Sequence, residues 1–61
     1  MIRLDATRVS VVAVCTCGWR TVALDKPAAW AAGAGHERAA HGGPGNAAQA
    51  LRTALSRARR A

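Results

Sequence analysis

Sixty-one residues make one small domain at most, and a chain of that size buries only about 60% of the surface it exposes when unfolded. Much of its hydrophobic fraction is alanine, with two tryptophans and no phenylalanine or tyrosine, so an extended apolar core is excluded and a metal, a disulfide or a partner must help hold the chain together. Nine Lys and Arg against three Asp and Glu give a formal charge of +6 and a pI near 11.5, which directs attention to anionic partners such as nucleic acid, an acidic protein face or an anionic membrane.

In chain order, residues 1–7 mix apolar and charged side chains and fit either a short strand or a loose arm. Residues 8–14 are rich in β-branched valine and predict a strand. A two-residue period puts Val9, Val11 and Ala13 on one face, with Ser10, Val12 and Val14 on the other. Residues 15–18 form the turn, where Gly18 is free to take a positive φ. Residues 19–24 alternate Arg20, Val22 and Leu24 against Trp19, Thr21 and Ala23 and predict the returning strand. The result is a β-hairpin with Cys15 and Cys17 at its tip.

Asp25-Lys26-Pro27 changes the period, since proline suits a first helical turn and an acid just upstream suits the helix dipole. A helix is expected over residues 28–40, with Trp30, Ala34, Glu37 and His41 on one stripe. It stops at Gly42-Gly43-Pro44-Gly45. Asn46 is a good N-cap for a second helix, which carries Ala47, Leu51, Ala54, Leu55 and Ala58 on one side. Arg52, Arg59 and Arg60 lie mostly opposite, with Arg57 between. The expected organisation is a hairpin-and-helix domain with an N-terminal arm over residues 1–42, a linker at 43–45 and a basic amphipathic helix over 46–61. Trp19 and Trp30 are expected in the core between hairpin and helix.

Cys15, Cys17, His36 and His41 are the chain's only cysteines and histidines. Two thiolates and two imidazoles are the donor set of a closed, tetrahedral structural zinc site, with ligand distances of about 2.0–2.3 Å. A hairpin tip brings two thiolates together, and a following helix can carry two imidazoles back to them. Two buried free thiols with two unrelated surface histidines are an alternative. A Cys15–Cys17 disulfide is another, though it would close a very tight ring. The small core favours zinc, because a structural ion contributes directly to folding.

The order strand, strand, helix, with Cys15, Cys17, His36 and His41 as donors, resembles the two-cysteine, two-histidine (ββα-type) zinc fingers over roughly residues 9–42. The resemblance implies a small α+β zinc-stabilised domain, extended here by the C-terminal basic helix. Cys-x-Cys is shorter than the usual spacing of about two to four intervening residues, and the gap to His36 is longer than the usual run of about twelve. His-x4-His is within the normal range. That step turns about 140° on an ideal helix, so convergence of both rings is expected to need a loosened last turn, which Gly42 and Gly43 permit. Cys-x-Cys-Gly-Trp followed by a distant histidine pair is also similar to small finger proteins of actinobacteria and their phages.

Catalytic zinc needs an open coordination position, and four protein donors leave none. Glu37 stands beside His36 without a His-Glu-x-x-His arrangement. No enzymatic activity and no small-molecule substrate are expected. In a DNA-reading finger, side chains near the helix start contact base edges. Here the corresponding positions, taken as exposed, are Ala28, Ala29, Ala31 and Ala32, and alanine offers no bidentate hydrogen bond.

The leading expectation is a zinc-binding small nucleic-acid-binding or regulatory protein. Its basic surface, from Arg8, Arg20, Lys26, Arg38, Arg52, Arg57, Arg59 and Arg60, would contact phosphates with little base readout. The alternative is a zinc-stapled protein–protein interaction module that docks through its alanine face and the Leu51/Leu55 stripe. Paired cysteines that hold metal imply a reducing, cytoplasmic setting. No stretch has membrane-spanning length.

Overall fold

Three β-branched valines in five residues make Val11–Cys15 a strand, whose two-residue period puts Val11, Ala13 and Cys15 on one face. In the computed structural model this segment is the middle strand, β2, of an antiparallel sheet with order β1-β2-β3. The structure describes residues 1–43 and 45–60, and the backbone alone for Ala58 and Arg60. β1 is Ile2–Ala6 and β3 is Arg20–Ala23. The expected hairpin is therefore present as β2–β3, and the N-terminal segment is a third strand, not a loose arm. Ile2 pairs with Cys15 and Leu4 with Ala13.

β2 begins at Val11, later than the valine pattern alone predicts. Thr7 is the reason: its Oγ1 accepts from the Ser10 N–H at 3.1 Å, and its own N–H donates to the Ser10 carbonyl at 2.8 Å. A Thr side chain that captures nearby backbone diverts it from the ladder. Arg8 and Val9 are left at an exposed turn.

Val11, Ala13 and Cys15 face inward and are buried, while Val12 and Val14 lie half-buried on the outer face. In β3 the inward residues are the small Thr21 and Ala23, so Val22 and Leu24 point to solvent at 67% and 87% exposure.

The first helix, α1, spans Lys26–His41. Asp25 is extended and its Oδ1 accepts from the Ala28 N–H at 2.8 Å, a carboxylate cap on the positive end of the helix. Gly42, at φ 72°, ends it in the left-handed conformation. Ala29, Gly33, Ala34 and Glu37 are its buried residues. Ala29 is thus a core residue and not an exposed helix-start position, because the helix begins two residues earlier than the alanine run. Gly33 marks a close approach: a Cβ there would lie 3.0 Å from Ile2 Cγ2 and 3.4 Å from Ala47 Cβ.

The second helix, α2, spans Asn46–Arg60 and packs against α1. Asn46 does not serve as the simple N-cap that its residue type predicts. Its carboxamide instead pairs with the backbone of Ile2, accepting from the N–H at 2.8 Å and donating to the carbonyl at 2.7 Å. Glu37 takes the capping role. Its buried carboxylate accepts from the Ala47 N–H at 3.0 Å, at the helix end that favours negative charge. A Cβ at Gly45 would overlap this carboxylate, so the glycine gives it room. α2 is therefore tied to β1 through Asn46 and to α1 through Glu37.

Among the described residues the buried apolar set is Ile2, Val11, Ala13, Cys15, Ala29, Ala34 and Ala47. Leu4, Trp19 and Trp30 pack against it half-buried. The tryptophans therefore flank the core and do not fill it. Burying a valine or isoleucine contributes about 1.5–3 kcal/mol, so Ile2 and Val11 together supply only about twice that.

Candidate metal centre

The sheet and α1 meet at one end, and there the four donor residues converge. Cys15 closes β2. Its N–H donates to the Trp19 carbonyl at 2.7 Å and its carbonyl accepts from the Gly18 N–H at 2.9 Å, a tight turn that Gly18 completes at φ 104°. The Thr16 N–H donates to the Met1 carbonyl at 3.0 Å, fastening the turn to the start of β1. Turn, strand and neighbouring strand thus hold both thiols in place before any ion is considered.

α1 runs back to this turn and presents His36 and His41 from its last turns. Cys15 Sγ lies 3.4 Å from His41 Nε2, and Cys17 Sγ lies 3.3 Å from His36 Nε2. All four donor atoms fall within 4.8 Å of one another. A tetrahedral ion with bonds of about 2.3 Å to sulfur and about 2.0–2.1 Å to nitrogen has sulfur–nitrogen edges of about 3.5 Å. The two observed separations match such edges, and the donors are compatible with one zinc ion. Both cysteines are free thiols, which removes the disulfide reading.

The last turn does not loosen to achieve this. α1 remains helical through His41, and the 140° step is absorbed because each imidazole reaches around its own side of the helix toward a different thiol. The rings meet edge to face, with centroids 5.1 Å apart and an interplanar angle of 84°. His36 is further fixed by Trp19, whose ring stacks on it at 4.2 Å and 6°. Stacking orients one donor ring and shields one side of the site. Reading Trp19 as core alone misses this role; its position two residues after Cys17 was the available signal.

Cys15 is buried and Cys17 exposed. The Cys15 thiol is lowered from its ordinary 9.0 to about 6. The backbone N–H of Cys17 is the largest cause; burial opposes it, and the side chains of Cys17, His41 and His36 add to the lowering. The thiolate is the form that ligates a metal, so the turn prepares Cys15 for that task.

The expected phosphate-contacting residues are distributed over several elements. Arg8 lies in the β1–β2 turn, Arg20 on the outer face of β3 and Arg38 near the end of α1, all exposed. Arg20 and Arg3 flank Val14 on the outer sheet face through the registers Arg3↔Val14 and Val14↔Arg20. Arg3 joins this face only because β1 pairs with β2, which composition does not reveal. Lys26 and Arg57 border one groove between the helices, and Arg52 and Arg57 border a neighbouring hollow. Arg59 is exposed on α2, and the side chain of Arg60 lies outside the described residues.

Among the described residues no helix is long and apolar enough to cross a membrane. No known protein family matches the chain. No curated protein matches it, and no solved structure does. The likeness to a two-cysteine, two-histidine finger therefore rests on the cluster and on the hairpin and helix that carry it.

Proposed function

We propose that the chain is a structural zinc module that presents a cationic surface to a polyanion, with nucleic-acid phosphates as the favoured target. Cys15, Cys17, His36 and His41 hold the ion. Four protein donors complete a tetrahedral site, so the metal supplies folding energy and not an open position for chemistry. No catalytic role follows from such a site.

One observation carries the polyanion reading: the chain's few carboxylates do not offset its exposed cations. Asp25 caps α1 and the buried Glu37 caps α2. Among the described residues Asp5 alone reaches a cation, Arg3, at 3.8 Å, with both side chains largely exposed, and such a pair contributes at most about 1 kcal/mol. Arg8, Arg20, Lys26, Arg38, Arg52, Arg57 and Arg59 have no carboxylate partner among the described residues. Weak base readout follows from the helix start, where the exposed Ala28 and Ala31 offer no hydrogen bonds to a base edge.

The test is binding of the zinc-loaded chain to unrelated duplex DNA and RNA sequences over a range of salt. Affinity is expected to be similar among sequences and to fall steeply and linearly in log–log form as salt rises, as counterion release requires. Absence of binding at low salt would overturn the reading.

A further inference from the structure

α1 and α2 pack against each other and residues of both line an open groove of about 770 Å³. Its walls are Trp30 and Pro27 on one side and Ala50 and Ala54 on the other, and Lys26 and Arg57 border it. Asn46 and Gln49 also line it, and among the described residues no carboxylate does. Asn46 is immobilised by its paired hydrogen bonds to Ile2. The shape and the charge therefore have to be matched by something apolar along one stripe and acidic beside it.

We propose that this groove docks an acidic amphipathic helix of a partner protein. Its apolar side chains would lie against Trp30, Pro27, Ala50 and Ala54, and its carboxylates would lie beside Lys26 and Arg57. Helix pairs present such grooves to a third helix, read by anchors at i, i+3, i+4 and i+7. Ala50 and Ala54, one turn apart on α2, form a shallow row into which a facing ridge of side chains fits. The groove is open along its length, which suits a segment of a macromolecule better than an enclosed small ligand.

Two other occupants fit less well. A second copy would bring a second charge of +6 against the same cations, with like-charge repulsion. A single nucleic-acid strand depends on aromatic platforms for its successive bases, and this groove offers one tryptophan among alanine methyls and a proline ring. The inference shares Lys26 and Arg57 with the polyanion reading but does not rest on it: the apolar walls of the groove carry it, and the sheet-face arginines and Arg38 take no part.

The test titrates the zinc-loaded full chain with a labelled, designed peptide of about four helical turns, with leucines at the anchor positions and glutamates flanking them. A scrambled peptide of the same composition and single-stranded and duplex oligonucleotides are the comparison probes. The helical peptide is expected to bind at least about tenfold more tightly than its scramble and to shift amide signals at Trp30, Ala50 and Ala54. A50Q and A54Q, which fill the groove without changing charge, should weaken the peptide by a similar factor and leave duplex binding unchanged.

Equal binding of helical and scrambled peptides, or shifts confined to the sheet face, would overturn the proposal. So would a single strand that displaces the peptide and shifts the same amides, since the groove would then belong to nucleic acid. Failure of duplex binding with peptide binding intact would remove the polyanion reading alone. Amide mapping on the unsubstituted chain decides the outcome even if the groove variants fail to fold.

Discussion

The far end of α1 is fixed by two thiols and two imidazoles drawn from a turn and a helix, whereas α2 is fixed by one carboxylate, one carboxamide and a few methyl groups. With zinc bound as proposed, the first attachment would work on the scale of structural zinc, about 10–16 kcal/mol in small finger peptides. The second works on the scale of single buried hydrogen bonds, about 1–3 kcal/mol when one partner is left unsatisfied. Where Ile2 and Val11 are the only large buried aliphatic side chains among the described residues, that ratio sets an order of dependence. α2 needs the sheet and α1 in place, because Asn46 binds Ile2 and Glu37 sits on α1. The metal end does not need α2 in the same way.

The largest expected effect breaks the comparison at its strong side. Chelation of the metal, or Cys17→Ser, should abolish amide dispersion over the whole chain, because the remaining core contributes too little to offset chain entropy. Survival of a dispersed spectrum for α1 and α2 would show that packing, not the ion, holds the domain. A smaller effect tests the weak side. Glu37→Ala leaves the Ala47 N–H without its partner and should cost about 1–3 kcal/mol. Hydrogen exchange in the first turn of α2 should quicken, with one zinc retained per chain; loss of the metal would show that the two attachments are a single unit.

Two glycines, both in α1, give the smallest and sharpest contrast. Gly33→Ala pushes a methyl against Ile2 and Ala47, and should destabilise the chain by about 1 kcal/mol after its gain in helix propensity. At Gly35 a Cβ meets nothing within 4 Å, so Gly35→Ala should stabilise by about 0.5–1 kcal/mol. Thermal denaturation of the zinc-loaded variants checks both signs. Stabilisation by both would mean that the close contact of Ile2, Gly33 and Ala47 yields readily.

The same contrast explains what the sequence could disclose. The metal donors are rare residue types, and four of them in the order cysteine, cysteine, histidine, histidine can be read without knowing any contact. The β2–β3 hairpin and α1 follow from the valine alternation and from Asp25-Lys26-Pro27. The attachment of α2 was not legible, because Asn46 and Glu37 act across long separations and each had a plausible local role. Asn46 had the composition of an N-cap, and Glu37 that of a residue beside a ligand. The third strand was equally hidden, since Ile2–Ala6 alternates too briefly to distinguish an edge strand from an arm. The alternation of Arg20, Val22 and Leu24 against Thr21 and Ala23 was legible, but which face turns inward was not: Val22 and Leu24 are exposed, and the inward positions belong to the small Thr21 and Ala23.

The central claim is that the four donors of the turn and α1 hold one tetrahedral zinc. X-ray absorption at the zinc edge, on protein purified without added chelator, tests it most directly. One zinc per chain is predicted, with two sulfur ligands at about 2.3 Å and two nitrogen ligands at about 2.0–2.1 Å. A chain that folds with no bound zinc, or zinc surrounded chiefly by oxygen, would contradict it.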